Sequence, residues 1–169
     1  DCVGFVVDGA NGHMEGEEQR MVRTPWFPEE IPFEDAAKIG TLKVIKEHAT
    51  IGVVVTTDGT VTDIPRQDYQ EAEKKAIRDM RATGKPFLVI INSRNPESEA
   101  ARQTRQHIIR EYGLEPVILD ALALSKDKIS DLLQSVLYTF PMTRLQIHLP
   151  RWLDALEADH PVKKGLYQA

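Results

Sequence analysis

Cysteine is nearly missing from this chain: one residue, Cys2, stands among 169. A single thiol excludes an internal disulfide and suits a reducing compartment. No apolar run approaches the ~20 residues that a membrane-spanning helix needs, and the first residues lack the pattern of a targeting segment. Blocks of Lys and Arg are missing too. With 21 basic against 26 acidic side chains the net charge is −5, so no basic face is on offer to a nucleic-acid backbone and no nucleic-acid partner is expected. The 5 histidines are scattered without HxH or HxxxH pairing, which argues against a protein-built zinc site. There are no internal repeats and no low-complexity tracts.

What is present is a globular composition, 41% hydrophobic with charges of both signs interspersed, long enough for one sizeable core. Three short apolar runs stand out: "IGVVVTT" at 51–57, "PFLVIIN" at 86–92 and "EPVIL" at 115–119. Runs of this length without alternation are expected of strands covered on both faces.

Helical patterns lie between them. Asp68 with Glu71 resembles a capping box, after which Tyr69, Ala72, Ala76, Ile77 and Met80 recur on one face until Gly84. Ser98 opens a second helix, with Ala101, Thr104, Ile108, Ile109 and Tyr112 inward and Gly113 as its stop. A third follows Ser125, with Ile129, Leu132, Leu133, Val136, Leu137 and Phe140 as its apolar face. An earlier helix, over 33–48, has apolar residues around most of its circumference, which predicts cover on more than one side. Alternation of strands and helices implies a parallel sheet with helices on both faces. Ligands of such sheets sit beyond the carboxyl ends of the strands, so the residues after Gly4, Thr57, Asn92 and Leu119 are expected to converge.

The tail reads differently. "TRLQIHL" alternates Leu145, Ile147 and Leu149 with polar residues as a half-exposed strand does, and "PRWLDALEA" predicts a short helix with Trp152, Leu153 and Leu156 inward. Residues 143–169 are therefore expected to open a second module after a first domain over 1–142.

The strand-end motifs carry the chemistry. Asp1-Cys2-Val3-Gly4 matches D-x-x-G, which follows a strand in P-loop nucleotidases: the aspartate reaches magnesium and the glycine lets a backbone N–H approach the terminal phosphate. The same four residues also fit a plain strand-end turn. The segment 6–32 shows no periodicity and holds Gly9, Gly12, Gly16, Pro25, Pro28 and Pro32. It sits where such proteins keep a nucleotide-sensing switch, although an acidic surface loop would read alike. At the end of the second run, Asn92-Ser93-Arg94-Asn95 occupies the place of the GTPase motif N-K-x-D. The asparagine is kept, while Ser93 replaces lysine and Asn95 replaces aspartate. "DALALS" is a loose counterpart of the last GTPase loop.

With "DCVGF", "RTPWFPEEIPFEDAAKIGTLKVIKEH", "TIGVVVTTDGTVTDI", "GKPFLVIINSRNP" and "YTFPMTRLQIHLPRW", nearly the whole chain resembles the stage IV sporulation protein A family, ATPases that build the base layer of the bacterial spore coat. The resemblance implies a doubly wound, mostly parallel α/β sheet of the P-loop NTPase, TRAFAC GTPase-like kind. In that family a strand, a G-x-x-x-x-G-K-[ST] phosphate loop with its helix, and a threonine-bearing switch precede D-x-x-G. No such loop occurs in this sequence, so the chain is expected to be a fragment, incomplete at its N-terminus and inactive on its own.

The resemblance further implies ATP and Mg²⁺ as cofactors, with Asp1 positioning the metal, Gly4 sensing the terminal phosphate, and Asn92 with Ser93 bordering the base. It implies self-polymerisation, other spore coat proteins and a small amphipathic membrane-anchoring peptide as partners. The expected place is the mother-cell cytoplasm, peripheral on the forespore outer surface. Two alternatives stay open: a non-catalytic scaffold that uses the fold for interaction alone, and an ordinary small GTPase, against which Asn95 speaks.

Overall fold

The computed structural model describes residues 2, 4–141, 144, 146, 148, 150–153, 155–157 and 159–167, Tyr167 by its backbone only. Gly52–Thr57, Phe87–Asn92 and Val117–Leu119 form the strands β5, β6 and β7 of a parallel sheet in that order. Its register runs from Gly52 beside Phe87 to Thr57 beside Asn92, and on to Asn92 beside Leu119. Helices clad both faces. On one, Val54, Val89 and Ile91 pack with Ile77 and Met80 of α2 (Gln70–Ala82) and Ile108 of α3 (Glu99–Tyr112). On the other, Leu88, Ile90 and Leu119 meet Leu132 and Val136 of α4 (Lys126–Tyr138). The chain is thus a mixed α/β fold with a parallel sheet, compatible with a P-loop-like architecture.

Local sequence sets most helix ends. Ser98 is extended and its side chain accepts the Ala101 N–H, while Gly113 closes α3 in the left-handed conformation. Ser125 likewise accepts the Lys128 N–H at the start of α4. The capping box at Asp68 does not form. A 3₁₀ turn at Arg66–Tyr69 feeds α2 through helical backbone angles, so no extended residue precedes the helix to turn a side chain back on its N–H groups.

Four further expectations are corrected. Segment 6–32 is not aperiodic throughout: Met14–Glu15 and Glu18–Gln19 (β1, β2) form one antiparallel pair, and Met21–Thr24 and Phe27–Pro32 (β3, β4) another. Their residues are mostly exposed, so no apolar alternation marked them. The helix over 33–48 is α-helical only over Phe33–Lys43 (α1) and ends in a π-helical turn, Val44–His48. Only Ala37 and Thr41 of it are buried, so it is not enclosed on several sides. In α4 no residue is fully buried, and Ile129, Leu133, Leu137 and, just beyond it, Phe140 are exposed, because the three strands are too narrow to cover its whole apolar face. In the tail Trp152 is exposed and Leu153 buried, in a 3₁₀ turn rather than a helix. A short helix α5 follows at Pro161–Tyr167. The alternating Leu145, Ile147 and Leu149 and the boundary at Met142 and Thr143 lie outside the described residues.

Candidate functional site

Because the sheet is parallel and in register, the carboxyl ends of β5, β6 and β7 lie side by side and the residues after them share one rim. Asp58 stands at the β5 side of this rim, buried although it follows the last residue of β5. Asp58 Oδ1 accepts the Thr60 backbone N–H at 3.0 Å and the Thr60 hydroxyl at 2.6 Å, and Oδ2 accepts the Ser93 hydroxyl at 2.6 Å. Burial alone would discourage the ionised carboxylate, but the hydrogen bonds from Ser93 and Thr60 outweigh it and hold the Asp58 pKa below its ordinary value.

The network reaches the neighbouring loop. Thr60 Oγ1 accepts the Arg94 N–H at 3.1 Å, and Ser93 Oγ accepts the Asn95 N–H at 3.1 Å. Gly59 makes the turn possible: its φ is +90°, and a Cβ there would come within 3.0 Å of the Arg66 nitrogen. On the α2 side of the same strand end, Arg66 donates to Thr56 Oγ1 at 3.2 Å and pairs with the buried Glu73 at 2.8 Å. Removing either partner would leave the other charge largely desolvated.

Asn92 is half-buried, and its Oδ1 accepts the Ala121 N–H at 3.0 Å, tying the end of β6 to the loop after β7. Its NH₂ makes no hydrogen bond among the described residues. Ser93 is fully buried, with its hydroxyl turned to Asp58 rather than outward. Asn95 is exposed, and its side-chain oxygen accepts the Glu97 N–H at 3.3 Å.

Gly4 stands elsewhere. Its φ of +84° is one that a side chain resists, and its N–H donates to the buried Thr41 Oγ1 of α1 at 3.0 Å. With Cys2, Phe5 and Val7 it lines a cleft of about 580 Å³ along the edge of β5 that faces away from β6. The exposed Val53 and Val55 line it too. Asn92 and Ser93 do not, so β5 separates them from Gly4. Asp1 lies outside the described residues. Among the described residues no three His, Cys, Asp or Glu side chains gather to hold an ion.

Asp58, Thr60 and the Arg66–Glu73 pair are not among the site residues expected from the sequence. An aspartate two residues before a threonine after a strand is a turn signature that could have flagged the first two. The Arg66–Glu73 pair had no local signal.

A model of the stage IV sporulation protein A ATPase domain matches residues 1–141. The stage IV sporulation protein A of Clostridioides difficile (strain 630) is 43% identical over 166 residues, 98% of this chain and 34% of that protein. Those of Bacillus anthracis and Bacillus subtilis (strain 168) are 41% and 40% identical over 169 residues, the whole chain and 34% of each. The chain thus spans about a third of the length of these curated relatives. No solved structure matches it. The chain therefore belongs to the stage IV sporulation protein A family, with residues 1–141 in its ATPase domain.

Proposed function

We propose that the whole protein binds and hydrolyses ATP and uses that cycle to polymerise into the base layer of the spore coat. The observation that carries this reading is the match of residues 1–141 to an ATPase-domain model, joined to strand-end loops that converge where open α/β sheets bind ligands. Residues 1–142 belong to the nucleotidase domain and residues 143–169 open the next module. Phosphoryl transfer depends on positioning and electrostatics, and this chain's part of both is divided across β5. On one side Gly4 is assigned to sensing the terminal phosphate, for which its N–H must exchange the bond it makes here to Thr41, and Asp1 is assigned to magnesium. On the other side Asn92 presents its NH₂ to the base while Ser93 shapes the loop that borders it.

The polymer forms in the mother cell, peripheral on the forespore surface, through contacts with its own copies, other coat proteins and a small amphipathic anchoring peptide. Among the described residues no helix is long and apolar enough to cross a membrane. The test is to incubate the purified whole protein with ATP, ADP or no nucleotide and follow phosphate release and sedimentation together. Turnover with ATP-dependent pelleting is expected. Pelleting without turnover would instead select the scaffold reading.

A further inference from the structure

Asp58 is a buried carboxylate that enters no ion pair among the described residues and belongs to neither apolar cluster. Desolvating a charge is costly unless hydrogen bonds offset the loss. Here three donors do so: the Thr60 N–H, the Thr60 hydroxyl and the Ser93 hydroxyl. What they hold is the loop after β6. Ser93 passes the restraint to the Asn95 N–H and Thr60 passes it to the Arg94 N–H. Two consecutive backbone groups of that loop, the N–H groups of Arg94 and Asn95, are thus anchored on one carboxylate through Thr60 and Ser93. On its β7 side the start of the loop is tied by the Ser93 N–H to the Leu119 carbonyl at 2.9 Å. Asn92 is therefore followed by a loop whose path is fixed from both flanking strands.

From this geometry we infer that Asp58 is a positioning residue of the nucleotide site: it holds the loop over residues 93–95 against the base and touches no part of the phosphate chain. The inference rests on the ATP reading above. A carboxylate serves better than an amide here, because every partner is a donor and the carboxylate accepts with both oxygens. Asparagine would turn an NH₂ toward either Ser93 or Thr60 and break one arm of the clamp.

The test compares two ligands on the whole protein: ATP, which has a base, and inorganic tripolyphosphate, which has none. Affinities are measured by calorimetry for wild type, Asp58→Ala and Ser93→Ala. Asp58→Ala is expected to weaken ATP by about tenfold, as the loss of one charged hydrogen bond does. Tripolyphosphate should stay within about twofold. Ser93→Ala removes one arm only, keeps the fold if Asp58→Ala does not, and should weaken ATP by about threefold with the same selectivity. Equal weakening of both ligands would mean that the network merely supports the fold, and no weakening of either would mean that it does nothing for the base; each overturns the assignment while leaving ATP binding intact. A wild-type protein without affinity for ATP would overturn the proposed function, and this assignment with it.

Discussion

The thioether end of Met80 fills the space that a side chain at Gly52 would need. A Cβ on Gly52 would collide with Met80 Cε and stand 2.9 Å from its sulfur, with Phe87 Cβ 3.2 Å away. This contact sets how closely α2 lies on the first residue of β5, and so where that strand delivers Thr56, Thr57 and Asp58 at its other end.

Gly52→Ala is therefore expected to destabilise the protein by about 1–3 kcal/mol, at the lower end if the flexible methionine swings aside. Met80→Ala should cost about 2–5 kcal/mol through its cavity. Combined, the two should cost clearly less than their sum, because the new methyl occupies part of the vacated space. Denaturant unfolding of the four proteins checks this, and strict additivity would mean that the two sites do not share the space.

At the opposite end of the strands, Lys85 Nζ donates to the carbonyls of Ile45, Lys46 and Ala49 at 2.7, 2.8 and 2.7 Å. These are carbonyls at the end of the π-helical turn, where a cation also meets the negative pole of the helix. Lys85→Met should cost about 1–3 kcal/mol. Lys85→Arg should not restore the loss, because a planar guanidinium cannot aim three donors from one point. Thermal unfolding with and without ATP checks both, and the shift should be the same in each condition, since Lys85 lies far along the strands from the rim.

The acid limb of stability should carry the signature of Asp58. Its folded pKa is below the ordinary 3.8, so the folded state holds its proton less tightly than the unfolded chain. The contribution is fully present well above that value and is lost as pH falls through it toward the folded pKa. Asp58→Asn cannot titrate. The stability gap between wild type and Asp58→Asn should thus be constant near neutral pH and shrink below about pH 4. Urea unfolding across that range reads the gap directly, and a gap that widens on acidification would mean that the Asp58 carboxylate is destabilised by folding.

How far these features could be read from the sequence follows from their range. The strands at Gly52–Thr57, Phe87–Asn92 and Val117–Leu119 and the caps at Ser98, Gly113 and Ser125 were legible because each depends on neighbours along the chain. The Asp58–Ser93 contact was not, because only the strand register brings the two together across 35 positions. The hairpins within 14–32 were not either, since short strands open to solvent carry no apolar code. For α4, periodicity marked the apolar stripe correctly but could not say how much of it three strands would cover.

The choice of base turns on Asn95 and Ser93. Guanine presents N1–H and an exocyclic amine as adjacent donors, which the aspartate of N-K-x-D accepts with two oxygens. Asn95 has one side-chain oxygen, and that oxygen already accepts the Glu97 N–H. Its NH₂ would meet a guanine donor head-on, leaving poorly paired groups worth roughly 1–3 kcal/mol each. Ser93 is buried against Asp58 and so extends no lysine stem over the base. Adenine lacks both guanine donors and loses nothing by the exchange. The whole protein is therefore expected to hydrolyse ATP in preference to GTP at equal concentration. Asn95→Asp should move the ratio toward GTP by about tenfold or more, and the double change with Ser93→Lys should keep the shift toward GTP while costing stability, because it fills a buried site and removes the Ser93 arm on Asp58. Direct competition between the two nucleotides measures the ratio, and a wild-type protein that prefers GTP would return this site to the ordinary GTPases.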